Sequence, residues 1–177
     1  MSVRFAPLRT RALDGTPRDL PGDLPAERTL VLLAYRQRHQ RDVDEWIALA
    51  VALGVPATPR GATGPLTTAV VEVPFLARVW WPARRLIDGG MAQGIVDPDV
   101  LARTFTAYGA PLRHRRACGL DGPGARKVDA RDVDGRAEVE ALVVTRDGTV
   151  LWHASGRPTM TSPPGPPGLR EALRPRG

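Results

Sequence analysis

Thr29-Leu30-Val31-Leu32-Leu33-Ala34-Tyr35 is an unbroken apolar run of strand length, the pattern of a strand covered on both faces. The polar stretch Arg36-Gln37-Arg38-His39-Gln40 follows at once. Val43, Trp46, Ile47, Ala50 and Val51 then recur at the i, i+3, i+4, i+7, i+8 spacing of an amphipathic helix that stops at Gly54. A buried central strand therefore turns directly into a helix. Thr67 to Val73, bounded by Pro65 and Pro74, reads as the next strand and supplies a parallel partner for the first.

Upstream, Val3 to Pro25 is turn-rich, with Leu13-Asp14-Gly15-Thr16-Pro17 as the tight turn of a hairpin-like lead-in. Downstream, a second helical stretch lies between Trp80 and Met91, starting near Trp81 with Pro82 in its first turn. Asp97-Pro98-Asp99 opens a third helix with an N-cap, a proline at the first helical position and an acid for the dipole. Val100, Leu101, Phe105 and Tyr108 give that helix an apolar face up to Gly109. Arg113 to Asp134 is basic, glycine-rich and without period, the mark of an irregular connection. Val139 to Val144 and Thr149 to Trp152 flank Arg146-Asp147-Gly148, and Asp-Gly between two β-rich runs signals an antiparallel hairpin. The proline-rich stretch Thr159 to Pro167 reads as a stiff spacer before a short helix at Leu169 to Leu173. Residues 1–156 are thus expected to form one domain, and 157–177 a proline-rich tail.

A chain of 177 residues with 42% hydrophobic and 25% charged residues lies in the globular range, which excludes disorder over most of its length. No apolar run approaches the ~20 residues of a membrane span, and the N-terminus lacks the apolar segment of a secretion signal. The expectation is a cytoplasmic protein without membrane insertion. The net charge of +6 would ordinarily suggest nucleic acid as a partner. Here 24 arginines and the single lysine, Lys127, are interspersed with acids, as at Arg41-Asp42, Arg131-Asp132 and Arg146-Asp147, and no aromatic-and-basic stripe offers bases a stacking surface. Nucleic acid is therefore disfavoured. Cys118 is the only cysteine, which excludes an internal disulfide and a four-cysteine zinc site. His39, His114, His153 and Cys118 show no ligand-pair spacing, so no metal is expected. Neither a glycine-rich phosphate loop nor a serine nucleophile elbow is present, and no cofactor is expected.

Strand, helix, strand, helices, hairpin and terminal helix is an order that resembles the thioredoxin-like α/β fold: three layers around a central mixed sheet, with parallel first strands and an antiparallel closing hairpin. Ala6-Pro7, Leu13-Asp14-Gly15, Arg28 to Tyr35 and Ala141 to Gly148 resemble the frame of peroxiredoxin and related proteins over roughly residues 5 to 156. Thr29 to Arg36 followed by Val43-Asp44-Glu45-Trp46, and Asp147 to Trp152 running to Gly156, look closer to the ATP-ten family of mitochondrial ATP synthase assembly factors. That resemblance implies assembly or chaperone work on a membrane complex, without a redox motif. The chain has no visible mitochondrial presequence and a bacterial-looking, arginine-rich composition, so the family's client does not carry over.

In redox members of this fold the first strand delivers a cysteine to the N-terminus of the next helix, where amides and dipole stabilise a thiolate. Here Arg36-Gln37-Arg38-His39-Gln40-Arg41 holds no sulfur, which excludes thiol exchange and peroxide reduction by that route. Tyr35, Arg36, Gln37, Arg38 and Arg41 are the candidate ligand- or partner-binding residues, because three arginines at a positive helix N-terminus favour a bound anion or acidic partner. The same stretch also reads as a solvated loop and first helical turn. His39 is the candidate catalytic group if the protein is an enzyme. Trp80 and Trp81 read either as a partner-binding anchor or as core and rim. Cys118 reads as a small buried hydrophobe or as a thiol activated by its neighbouring arginines. Two functions follow, beside a third in which Cys118 serves a one-cysteine redox protein. One is redox-inactive binding of a protein client or small anionic ligand, as an assembly factor or interaction module. The other is non-redox acid/base catalysis on a small anionic or polycyclic substrate, with His39 and its arginines as actors.

Overall fold

The apolar run at Leu30 to Ala34 lies in the middle of a seven-stranded sheet. The computed structural model describes residues 3–35, 39–56, 66–76, 97–120, 138–158 and 165–174. Its strands are β1 (Leu8–Ala12), β2 (Pro17–Leu20), β3 (Ala26–Ala34), β4 (Leu66–Leu76), β5 (Phe105–Tyr108), β6 (Glu140–Thr145) and β7 (Val150–Ser155), in the order β2-β1-β5-β4-β3-β6-β7. The helices are α1 (Gln40–Ala52), α2 (Pro98–Arg103), α3 (Pro111–Ala117) and α4 (Leu169–Leu173). β3 runs parallel to β4, with Leu30 opposite Val70 and Leu33 opposite Val73, and antiparallel to β6, with Leu30 opposite Val143. This is the expected mixed sheet, with parallel first strands and an antiparallel closing hairpin. The turn of that hairpin is closed by Gly148, whose φ of +85° is open to glycine and strained for a side chain.

Because successive side chains of a strand point to opposite faces, β3 feeds two cores. Val31, Leu33 and Tyr35 join Phe5, Leu20, Leu24, Phe75, Phe105 and Cys118 on one face. Leu30, Leu32 and Ala34 join Val43, Trp46, Ile47 and Leu49 of α1 and Leu169 and Leu173 of α4 on the other. Both faces are covered, which is why the run carries no polar alternation. The terminal helix is tied down by Arg28 of β3, whose guanidinium donates to the carbonyl of Ala172 at 2.7 Å.

Four local readings change. Val51 is 48% exposed and Leu49 is fully buried in its place. At 100° per residue both lie about 90–110° from the centre of the apolar stripe, so periodicity alone does not choose between them. Packing of Gly165 and Leu169 against Leu49 decides it. β4 continues through Pro74 to Leu76 instead of stopping before it. Glu72 bridges Thr104 and Phe75 pairs with Ala107 at the same offset, and the β4–β5 ladder is interrupted in between, where the proline has no N–H to give. The third helix begins as expected, Asp97 accepting the Asp99 N–H at 2.8 Å, but it ends at Arg103. Phe105 to Tyr108 is a strand, since the slot between β1 and β4 offers it a ladder on both sides. Finally, Pro111–Ala117, which overlaps the start of the stretch read as irregular from Arg113, is helical, with proline in its first turn. The helix expected from Trp81 lies outside the described residues.

Candidate functional site

The C-terminal ends of β3 and β4, the start of β6 and the N-terminus of α1 meet at one edge of the sheet. Tyr35, just past β3, is 8% exposed, and His39, the N-cap residue of α1, is 4% exposed. The Tyr35 N–H donates to His39 Nδ1 at 3.3 Å. An accepting Nδ1 carries no proton, and the buried imidazole is turned inward against the end of β3. Arg41 stands on the exposed side of α1, in an i, i+4 ion pair with Glu45 at 3.5 Å. Arg157, just beyond β7, holds both Asp42 and Glu45 at 2.8 Å and so binds the first turns of α1 to the closing hairpin. The structure thus brings Tyr35 and His39 together and sets Arg41 apart. Arg36, Gln37, Arg38, Trp80 and Trp81 lie outside the described residues.

Beneath Tyr35 runs a chain of rings. Tyr35 meets Phe75 at 5.4 Å, Phe75 meets His114 at 5.7 Å, and His114 meets Phe5 edge-on at 5.0 Å. His114 Nε2 donates to the Ala6 carbonyl at 3.1 Å, while the Ala6 N–H donates to Cys118 Sγ at 3.2 Å. The two side chains therefore hold both polar groups of Ala6. The Cys118 sulfur lies 3.7–3.8 Å from the His114 ring nitrogens. Burial pushes the His114 imidazole below its ordinary 6.5, against the pull of the Ala6 carbonyl. Burial pushes the Cys118 thiol above 9.0, against the Ala6 N–H. Each group prefers its uncharged form, the opposite of the imidazolium–thiolate pair that makes a cysteine nucleophilic.

Reasoning from sequence missed the group centred on Glu140. This carboxylate is fully buried at the start of β6, opposite Leu33 of β3 and Ser155 of β7. Its Oε1 meets the Arg115 guanidinium of α3 at 2.8 Å, in ion-pair contact. Its Oε2 takes His153 Nε2 at 2.5 Å and the Ser155 hydroxyl at 2.6 Å. His153 and Ser155 are two apart on β7 and so share a face. The signal was present: Glu140 is the one acid in the apolar run Val139 to Val144, and a strand covered on both faces has no room for a charge unless it is paired. A buried carboxylate held by two hydrogen bonds and an ion pair ties α3, β6 and β7 together at this edge. Among the described residues no cluster of histidine, cysteine or acid groups could hold a metal ion, and no helix is long and apolar enough to cross a membrane.

No family model matches the chain, and no curated protein matches it. Solved structures do. BsSco, a member of the Sco family of cytochrome c oxidase assembly proteins, is 13% identical with a TM-score of 0.50, over 88% of this chain and 85% of that one. The exposed lipoprotein thioredoxin of Streptococcus pneumoniae is 10% identical with a TM-score of 0.47, over 85% of this chain and 90% of that one. The likeness is one of fold, and the architecture is thioredoxin-like.

Proposed function

We propose that the chain is a redox-inactive thioredoxin-fold protein that works by binding, as an assembly factor or interaction module, and takes a protein client or small anionic ligand at the β3–α1 junction. The observation that carries this reading is the position of its sulfur. The fold activates a thiol at the N-terminus of the helix after the central strand, and there the chain has arginines and His39. Cys118, the only thiol, lies at the end of α3, is 2% exposed and is neutral by burial. The inward turn of His39, with Nδ1 occupied by a backbone N–H, supports binding over acid/base catalysis at the same place.

An assembly role is the form of binding that the likeness to the ATP-ten family suggests. A lone cysteine suits a reducing compartment, and the reading places the protein in the cytoplasm. The test is fluorescence anisotropy of a labelled oligoglutamate peptide with the full chain, from about 0.02 to about 0.2 M salt, across which the screening length falls severalfold. Binding that weakens with salt and is lost in Arg36→Ala/Arg38→Ala, but not in Cys118→Ser, is expected. Binding unaltered by the double arginine change would overturn the assignment of the junction.

A further inference from the structure

At the opposite end of the sheet from that junction, where α1 ends and β4 begins, a cleft of about 290 Å³ opens beside α4. Its floor is apolar, from Leu53 and Leu173, and β4 lines it at Thr67 and Thr68, of which Thr68 shares the face of Val70 toward α1 and α4. Arg170 and Arg174 line the remaining side. Leu169 and Leu173 are buried against the sheet, and Arg170 of α4 and Arg174, its C-cap residue, line the cleft together. Like charges in one cleft repel.

Nothing described relieves them. Among the described residues neither guanidinium has an ion-pair or hydrogen-bond partner, and no carboxylate lines the cleft. Glu171, the acid of α4, lines a separate depression with Arg28 and Trp152. The C-terminus of α1 also faces the cleft, and its partial negative charge is the internal alternative for the arginines. That alternative is too small. The last carbonyls of α1, on Leu49, Ala50 and Val51, already accept the N–H groups of Leu53, Gly54 and Val55, and a helix end amounts to about half a charge against two full ones.

We infer that this cleft binds an oxyanion, a phosphate or carboxylate group, carried on a small apolar body. The guanidinium forks and the Thr68 hydroxyl are donors matched to such oxygens, and the Leu53–Leu173 floor receives the apolar part. The site requires nothing of the β3–α1 junction, so either can fail alone.

The experiment is an NMR titration of the ¹⁵N-labelled full chain with phenyl phosphate, with benzoate and phenol as parallel arms. Saturable amide shifts centred on Gly54, Thr67, Thr68 and Leu173 are expected with one or both anions and not with phenol. A tighter phenyl phosphate assigns phosphate, and a tighter benzoate assigns carboxylate. Arg170→Gln/Arg174→Gln, two exposed positions, should weaken binding at least about tenfold, while Arg113→Gln on α3 leaves it unchanged. Equal binding by the double variant, shifts centred on other arginines, or equal shifts with phenol would each overturn the proposal.

Discussion

Replacing Glu140 by glutamine tests whether the buried carboxylate holds the sheet edge together. The change keeps the shape of the side chain and removes its charge. Removing one partner of a buried ion pair typically costs about 3–5 kcal/mol, because the remaining charge is left uncompensated. The partners here are not fully enclosed: the Arg115 side chain is 16% exposed and that of His153 28%. Water can therefore reach both, and a loss of about 2–4 kcal/mol is expected once that relief is counted. For a domain of this size each kcal/mol moves Tm by about 2–4 °C, so the midpoint should fall by roughly 5–15 °C. Tryptophan fluorescence reads the free-energy loss in urea unfolding and the midpoint in a thermal melt, since Trp46 is fully buried beside Trp152. Arg115→Gln and the double variant complete the cycle, with a coupling of at least about 1 kcal/mol between the two sites. A Glu140→Gln protein within about 0.5 kcal/mol of wild type, a value normal for a surface change, would refute the reasoning.

Three further outcomes are expected. The lowered His114 pKa means that the folded chain resists a proton that the unfolded chain accepts, so stability is full above 6.5 and is lost as pH falls below it. Urea melts at about pH 7.5 and about pH 5 should show that loss in wild type and a smaller one in His114→Gln; the Asp147 contribution lies lower, between 3.8 and about 2. Leu49→Ala should cost about 2–5 kcal/mol by emptying a packed site, whereas Val51→Ala, half exposed, should cost under about 0.5 kcal/mol; equal losses in chemical denaturation would contradict the packing of the C-terminal segment on α1. Asp97→Ala should lower stability by about 1 kcal/mol through loss of the α2 cap, read from the same melts.

How much of this could be read in advance depended on whether the deciding contact was local. The β3 run, the Asp-Gly hairpin, the Asp97-Pro98 helix start and the Leu169–Leu173 helix each carry their signal within a few residues, and each appears in the structure. Phe105 to Tyr108 has apolar positions at helical spacing, yet it becomes a strand because β1 and β4, far away in sequence, leave a slot between them. Leu49 and Val51 flank the same stripe, and a segment more than a hundred residues downstream chooses between them. The site shows the same division. The position of His39 at the strand–helix junction follows from the order of elements, whereas its inward turn rests on the Tyr35 N–H that it accepts. The Glu140 group joins α3, β6 and β7, and only its lone acid in an apolar run announced it.

The absence of thiol chemistry is the central claim, and one comparison addresses it most directly. Insulin disulfide reduction and peroxide consumption would be measured for the full chain and for Cys118→Ser, with a thiol reductant supplied and a protein-free blank. The account predicts that both proteins match the blank, because Cys118 is buried, neutral and remote in sequence from the helix where this fold activates a thiol. Turnover by the wild-type chain that Cys118→Ser abolishes, with its unfolding transition unchanged, would contradict it.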